Sequence, residues 1–306
     1  VTLIPTWNAV DPEAVKVAVE MGCTVKLIHP RHTAEFQIMR DASVVSFCNE
    51  NAFKIHHLFP KLNCRFIFVP CMCYPDQTFR TAMRQGHVHA VVYQSRYQQG
   101  EVERRLAGDN YRHGMGHLIR GYFDWDAVEY QPVPHAPHTP FVIGRIARPH
   151  PAKWNRNWWE MYGKVPDRKA VLLGFGGDTR KQIGRPPDWA EIHAPGSKPA
   201  ADIYRQLHAY VTCNESDQEN WPRTGLEAMA YGVPIVAERR YGWQEMLENG
   251  VSGLLGDSWD EIGTLAAGLA TDEDRRLAVA AAARERLRSI CDPEEIWDGW
   301  KAVLGA

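Results

Sequence analysis

The sequence predicts an α/β protein of two doubly wound domains in tandem, each built on a parallel sheet. Three observations predict it. Short apolar runs alternate with helix-period stretches along the whole chain, the pattern of a sheet covered on both faces. The length, 306 residues, suits two domains of ordinary size. One stretch interrupts the alternation: 131–140 holds four prolines in ten residues, too many for an element interior, and reads as an extended linker.

The elements follow in order. Strands are expected at 1–5, 24–28, 43–47, 65–69, 89–93 and 117–120, where apolar and β-branched residues run together. Between them, 12–21 reads as a helix, with Asp11 as its cap and Pro12 at its first position. The stretches 33–40, 51–59, 78–85 and 96–107 also carry helical apolar spacing. After the linker a second series begins, with a strand at 141–145, a Trp-rich helix at 154–163, and strands at 170–174 and 189–193. It continues through helix 200–208, strand 209–213, helix 223–231, strand 233–237, helix 243–249 and the Ala/Arg-rich helix 272–289. An amphipathic helix at 293–304 closes the series. The expected domains are 1–138 and 139–288, with 289–306 packing back on the first.

Composition narrows the class. With 44% hydrophobic and 24% charged residues, the chain can bury a full core, which excludes a disordered protein or a disulfide-stapled scaffold. No apolar run is long enough for a membrane-spanning helix. The start, Val1 to Pro5, has neither Met nor a basic leader and reads as a trimmed end. Seven cysteines without a CxxC pair argue against a disulfide framework and fit a reducing, cytoplasmic compartment. Cys71-x-Cys73 and His87-x-His89 have zinc-binding donor types. Pairs spaced by two share a strand face by period alone, so buried thiols are the simpler reading. The net charge of −2 does not advertise a nucleic-acid binder, yet 145–185 holds ten Lys/Arg against three Asp/Glu, a local +7. That segment is the place to expect an anion.

The densest chemical signal lies between Glu219 and Ala237. Its two glutamates, 219 and 227, stand eight positions apart with Pro222 between them. On one continuous helix they would lie about 80° and roughly 12 Å apart. With Glu219 in the preceding loop and Glu227 on the helix, both can border one ligand, and the helix N-terminus favours an anion there. Gly232 stops the helix and Pro234 leads into a strand.

This stretch resembles the Glu-x7-Glu signature of retaining glycosyltransferases of the GT-B fold, the family 4 group, through Glu227-Ala-Met-Ala-Tyr-Gly-Val-Pro-Ile-Val-Ala237. Further pieces agree. Gly144-Arg145 with Lys153 is similar to the family's strand-end Gly-Arg and downstream Lys. Gly121 to Asp124 and Gln131-Pro132 resemble its entry to the interdomain linker, and Gly242, Glu245, Gly250 and Gly253-Leu-Leu255 its closing motif. The likeness covers roughly 141–260 and is weak in the N-terminal half, where Pro5 to Ala9 lacks the family's glycine turn. There, too, strand 65–69 runs into Pro70-Cys-Met-Cys-Tyr-Pro75 rather than a His.

The resemblance implies two doubly wound, Rossmann-like domains facing a cleft, and a set of donor-site roles. Arg145 would fork onto a diphosphate and Lys153 add a point charge, stabilising the leaving oxygen without a metal. Glu227 would accept from ribose hydroxyls, Glu219 would face the transferred sugar, and backbone amides near Gly242 would complete the cradle. Arg148 and Arg156 either join that site or solvate the basic segment. The implied reaction moves a sugar with retention from a nucleotide-diphosphate sugar, UDP-linked, to a hydroxyl of a saccharide, lipid or small molecule, with no cofactor. Two alternatives stand beside it: transfer to a hydroxymethylated base in DNA, and nucleotide-sugar binding without catalysis. Asp124-Trp-Asp126 is the rival, metal-holding motif, and Gly174-Phe-Gly176-Gly177 reads as a strand-end turn rather than a dinucleotide fingerprint. Trp154, Trp158 and Trp159 read as an inward helix face before a sugar-stacking one.

Overall fold

A computed structural model describes residues 1–5, 10–29, 31–48 and 50–305. The glycine-free stretch noted after the first strand lies largely outside the described residues, at 6–9. The chain forms two compact units: Val1–Gln94 with Gln98–Ile119 and Gly299–Ala306, and Arg120–Asp298 with Ser95–Tyr97.

The first unit holds β1 (Thr2–Leu3), α1 (Pro12–Glu20), β2 (Thr24–Val25), β3 (Ser43–Phe47), β4 (Arg65–Val69), α2 (Gln77–Arg84), β5 (Ala90–Tyr93), most of α3 (Arg96–Leu106) and β6 (Gly116–Leu118). Strands β3 to β6 form a parallel sheet in sequence order, while β1 and β2 pair apart from it. Asp11 caps α1 as its sequence predicts, accepting from the Glu13 amide at 3.0 Å. The stretches expected as helices at 33–40 and 51–59 are 3-10 turns, Thr33–Met39 and Glu50–Leu58. Phe36 and Phe53 from these turns, with Phe59 just after the second, pack against Phe66, Phe68 and Phe79 in one buried cluster. Tight burial of large rings sets the backbone there more than helix propensity does. The end of the last helix belongs to this unit: Val303 is buried and its carbonyl accepts from Arg65 Nη1.

The second unit contains β7 (Phe141–Ile146), α4 (Trp158–Gly163), β8 (Arg168–Leu173), α5 (Gly177–Ile183), β9 (Ala190–His193), α6 (Ala200–Tyr204) and β10 (Ala209–Val211). Then come α7 (Arg223–Tyr231), β11 (Ile235–Glu238), α8 (Trp243–Met246), β12 (Leu254–Gly256), α9 (Trp259–Thr271), α10 (Glu273–Ile290) and the start of α11 (Pro293–Leu304). All six strands are parallel, in the order β12-β11-β10-β7-β8-β9. The winding reverses between β7 and β10, so a crevice opens beyond their carboxyl ends. Two apolar clusters cover the faces, one around Trp243 and Tyr210 and one around Trp154 and Trp158.

The units divide at Ile119, ahead of the proline-rich stretch. Residues after it are bound into the second unit: Phe123, Trp125 and Val128 pack on its core, and the Gly121 carbonyl accepts from Trp221 Nε1 at 3.2 Å. Helix α7 occupies the predicted 223–231 and ends at Gly232, whose φ of +79° is the left-handed turn anticipated there. Gly174 has φ +94°, and a Cβ on it would lie 1.7 Å from the Ala147 carbonyl oxygen. That glycine lets two strand-end loops cross, which makes its Gly-rich run a strand-end turn.

Candidate functional site

The site is built where the switch in strand order puts it, from the loops after β7 and β10. Strand β7 alternates faces, so Phe141, Ile143 and Arg145 point to the tryptophan cluster. Arg145 is 1% exposed. Its guanidinium sits 5.2 Å and 5.1 Å from the rings of Trp154 and Trp158. Nη1 donates to the Lys153 carbonyl and, at 3.3 Å, to that of Cys213, and Nη2 donates to Asn214 Oδ1 at 2.5 Å. Arg145 therefore fastens the loop after β7 to the loop after β10 from beneath, and its forked donors are spent on the protein. The tryptophans face inward, as the simpler reading of them had it.

Above this buried cation the charges converge. Lys153 Nζ lies 2.6 Å from Glu219 Oε1 and 2.7 Å from Asp217 Oδ2, all three partly sheltered. Asn214, fully buried, organises them: its Nδ2 donates to the Asp217 carbonyl at 3.0 Å and to Glu219 Oε1 at 3.3 Å. The Ala152 carbonyl accepts from the amides of Glu215, Ser216 and Asp217 at 3.0, 3.1 and 3.1 Å, joining the same two loops again. Arg156 pairs with Glu215, away from the lysine cluster. Arg148 is exposed, and among the described residues no partner holds its guanidinium.

Glu227 belongs to a second group on the other side of β7. Its Oε2 lies 3.0 Å from the Tyr204 hydroxyl and its Oε1 accepts from Arg223 Nε at 3.2 Å. The Tyr210 hydroxyl contacts the Ile146 carbonyl at 3.1 Å and Thr224 Oγ1 at 3.0 Å, tying α7 to the end of β7. Burial pushes both tyrosine hydroxyls above their usual range, so they remain donors. Gly242 closes the floor. Its amide donates to the Glu219 carbonyl at 2.8 Å, and a Cβ there would stand 1.7 Å from the Asn220 carbonyl oxygen. That amide is committed to shaping the loop of Glu219.

Three contributors were not singled out from sequence: Asn214, Asp217 and Glu238. Glu238 ends β11 at 2% exposure, and its Oε2 accepts from the Asn214 amide at 2.7 Å. Burial lifts its carboxyl to about 7, against the lowering pull of that amide and of Arg145. Its signal was available, since an acid closing a buried apolar strand must be held by something. The rival motifs dissolve into other roles. Asp124 and Asp126 are exposed, while Trp125 between them packs under Arg284 and Arg288. His89 Nδ1 accepts the Phe66 amide and His87 pairs with His56 at 2.7 Å, so the Cys/His pattern does not converge. Among the described residues no group of three or more metal-ligand side chains gathers.

Comparison with known proteins agrees with this architecture. Residues 164–286 match the family described as glycosyl transferases group 1. A D-inositol 3-phosphate glycosyltransferase of Corynebacterium kroppenstedtii is 29% identical over 134 residues, 39% of this chain. The match spans only 29% of that relative's length. Among solved structures, Anabaena Alr3699/HepE in complex with UDP-glucose superposes with a TM-score of 0.74 at 15% identity, covering 96% of this chain and 90% of that one. A glycosyltransferase from Rickettsia africae gives 0.75 at 12%, over 99% and 90%. S. aureus TarM gives 0.69 at 13%, over 90% of this chain and 57% of its own. These likenesses carry the GT-B-like fold, two parallel sheets of four and six strands. The family match lies across the unit that bears Glu219 and Glu227, so it is this part of the chain that is similar to the glycosyl transferases of group 1.

Proposed function

We propose that this chain is a retaining glycosyltransferase that takes a sugar from a UDP-linked donor and passes it to a hydroxyl acceptor, without a metal ion. The observation that carries the reading is Lys153 held between Asp217 and Glu219 at the crevice, with Arg148 exposed on the same connection after β7. Once a diphosphate displaces the carboxylates from Lys153, that cation and Arg148 offset the charge that grows as the bond to the sugar breaks, which a metal would otherwise balance. Glu227, held by Tyr204 at the head of α7, accepts from ribose hydroxyls, and Glu219 faces the sugar. Arg145 acts through the loops it fastens, and Gly242 through the loop of Glu219. The structural neighbour from Anabaena, solved with UDP-glucose and with UDP and glucose, supports the choice of nucleotide. The first unit, with the chain's final residues, takes the acceptor side in this proposal, and 139–288 the donor side.

The test is nucleotide release from UDP-, GDP- and ADP-sugars, with and without EDTA. Saccharides, lipids, small alcohols and hydroxymethylated DNA are offered as acceptors. Release from a UDP-sugar that ignores EDTA and rises with a saccharide, lipid or small alcohol is expected, as is its loss in Lys153→Ala. Stimulation by DNA would replace the acceptor class. Nucleotide binding without release would make the chain a binding protein, and loss of release in EDTA would refute metal independence.

A further inference from the structure

At the carboxyl edge of the first unit's sheet two cysteines meet. Strands β3 and β4 run parallel with Phe47 opposite Val69, and the Cys48 amide continues the ladder, donating to the Val69 carbonyl at 2.8 Å. Cys48 then turns left-handed, at φ +50°, and Cys71 follows Pro70, two residues past the end of β4. Both thiols are exposed and line one concavity with Met72, Tyr74 and Asp76. The Cys48 thiol hydrogen-bonds to Cys71, and that bond, more than burial, holds the proton on Cys48. The register puts Cys48 opposite Pro70, one residue before Cys71. A strand spacing of about 4.8 Å with an offset of about 3.3 Å gives a Cα separation of about 6 Å, within the roughly 4.4–6.8 Å that a disulfide bridges. The other cysteines differ. Cys64, Cys73, Cys213 and Cys291 are buried, and burial pushes the Cys213 thiol up to about 12, which makes it inert. Cys23 is half-buried.

We propose that Cys48 and Cys71 form a reversible intramolecular disulfide by exchange with a low-molecular-weight disulfide such as oxidised glutathione. Cys71, whose charge the Cys48 proton stabilises, attacks as the thiolate, bonds to one sulfur of the small disulfide and expels the other half as a thiolate. That thiolate takes the Cys48 proton. The Cys48 sulfur then attacks Cys71, breaks the mixed disulfide and releases the second small thiolate, which is protonated from water. Two protein thiols have lost two electrons and two protons, and the small disulfide has become two thiols. The new bond joins the end of β3 to the Pro70–Pro75 turn, the same turn that replaces the family's His-bearing segment in sequence. The proposal does not depend on which sugar or acceptor the chain uses.

The test equilibrates the full chain in glutathione buffers of graded ratio, quenches with acid and iodoacetamide, and maps tryptic peptides by mass spectrometry. Expected is a cross-link between peptides 41–54 and 66–80, two hydrogens lighter than their sum, with fragmentation placing it on Cys71 rather than Cys73. Excess reduced glutathione should undo it. Cys48→Ser, checked for folding by circular dichroism, should instead trap glutathione on Cys71. Separate glutathione adducts on Cys48 and Cys71 of the unaltered chain, a cross-link through Cys73, or no reaction under conditions that modify Cys23 would each overturn the proposal.

Discussion

Arg145→Met separates a structural guanidinium from a phosphate-binding one. Methionine fills most of the slot between Trp154 and Trp158 but removes every donor. The Lys153 carbonyl and Asn214 Oδ1 then lose their partner in a site only 1% exposed, while the Cys213 carbonyl keeps the Asn155 amide. Each buried acceptor left unpaired costs about 1–3 kcal/mol, and the stacked cation contributed about 2 kcal/mol. Relief of the arginine's own desolvation offsets part of that loss. The net cost is about 3–5 kcal/mol. For a unit of this size that lowers Tm by roughly 6–20 °C. Thermal unfolding followed by circular dichroism reads the fall directly, and calorimetry with UDP reads the consequence for binding. A Tm within about 2 °C of the parent, together with lost UDP affinity, would refute the structural role and return the guanidinium to the phosphate.

Gly242→Ala places a methyl 1.7 Å from the Asn220 carbonyl oxygen, so the loop of Glu219 must shift by about 1.5 Å. Sugar transfer should fall roughly 100-fold, and wild-type turnover would show that the loop is free to move. His208, buried and accepting the Val142 amide at 2.8 Å, is held down at about 4 by burial first and then by Arg276. The unfolded chain binds that proton near 6.5, so the stabilisation is whole above pH 6.5 and is lost as pH falls through 4. It amounts to about 3 kcal/mol, and His208→Gln should flatten the urea midpoint over that window. Glu238 works in the opposite sense. Its folded carboxyl keeps its proton to about 7 against 4.5 when unfolded, so stability declines by about 3 kcal/mol as pH rises between those values. Glu238→Gln should abolish the decline, and an unchanged pH slope would show that the carboxyl is already ionised.

The second unit was legible because its elements are long, apolar and sharply punctuated. Helix 223–231 and its Gly232 stop were readable from Pro222 and the glycine alone, and the closing helix 293–304 from its amphipathic spacing. Helices α5 and α9 went unread. Helix α5 starts on Gly177, and the Ser258 cap that opens α9 stands among turn-forming neighbours. In the first unit the phenylalanine cluster tightened two expected helices into 3-10 turns, a tertiary effect that no local spacing reveals. At the site, sequence supplied the charged residues but not their partners. Arg145 is read as a ligand-facing cation from its motif, whereas strand alternation already assigns its side chain to the face of Phe141 and Ile143. Asn214 was invisible because its importance lies in four hydrogen bonds, to Arg145, Asp217, Glu219 and Glu238.

Lys153 is already neutralised before any ligand arrives, for it stands between two carboxylates that together outweigh it. An incoming anion must exchange with Asp217 or Glu219 rather than settle on a vacant cation. Phosphate, sulfate and chloride offer charge alone and lose that exchange to carboxylates tethered at contact distance. A ligand that also presents hydroxyls can satisfy the carboxylates it dislodges, and so recovers what the exchange costs. In the proposed donor site the double pairing of one lysine would act as a filter, keeping the crevice clear of the abundant small anions that a bare cationic pocket would collect.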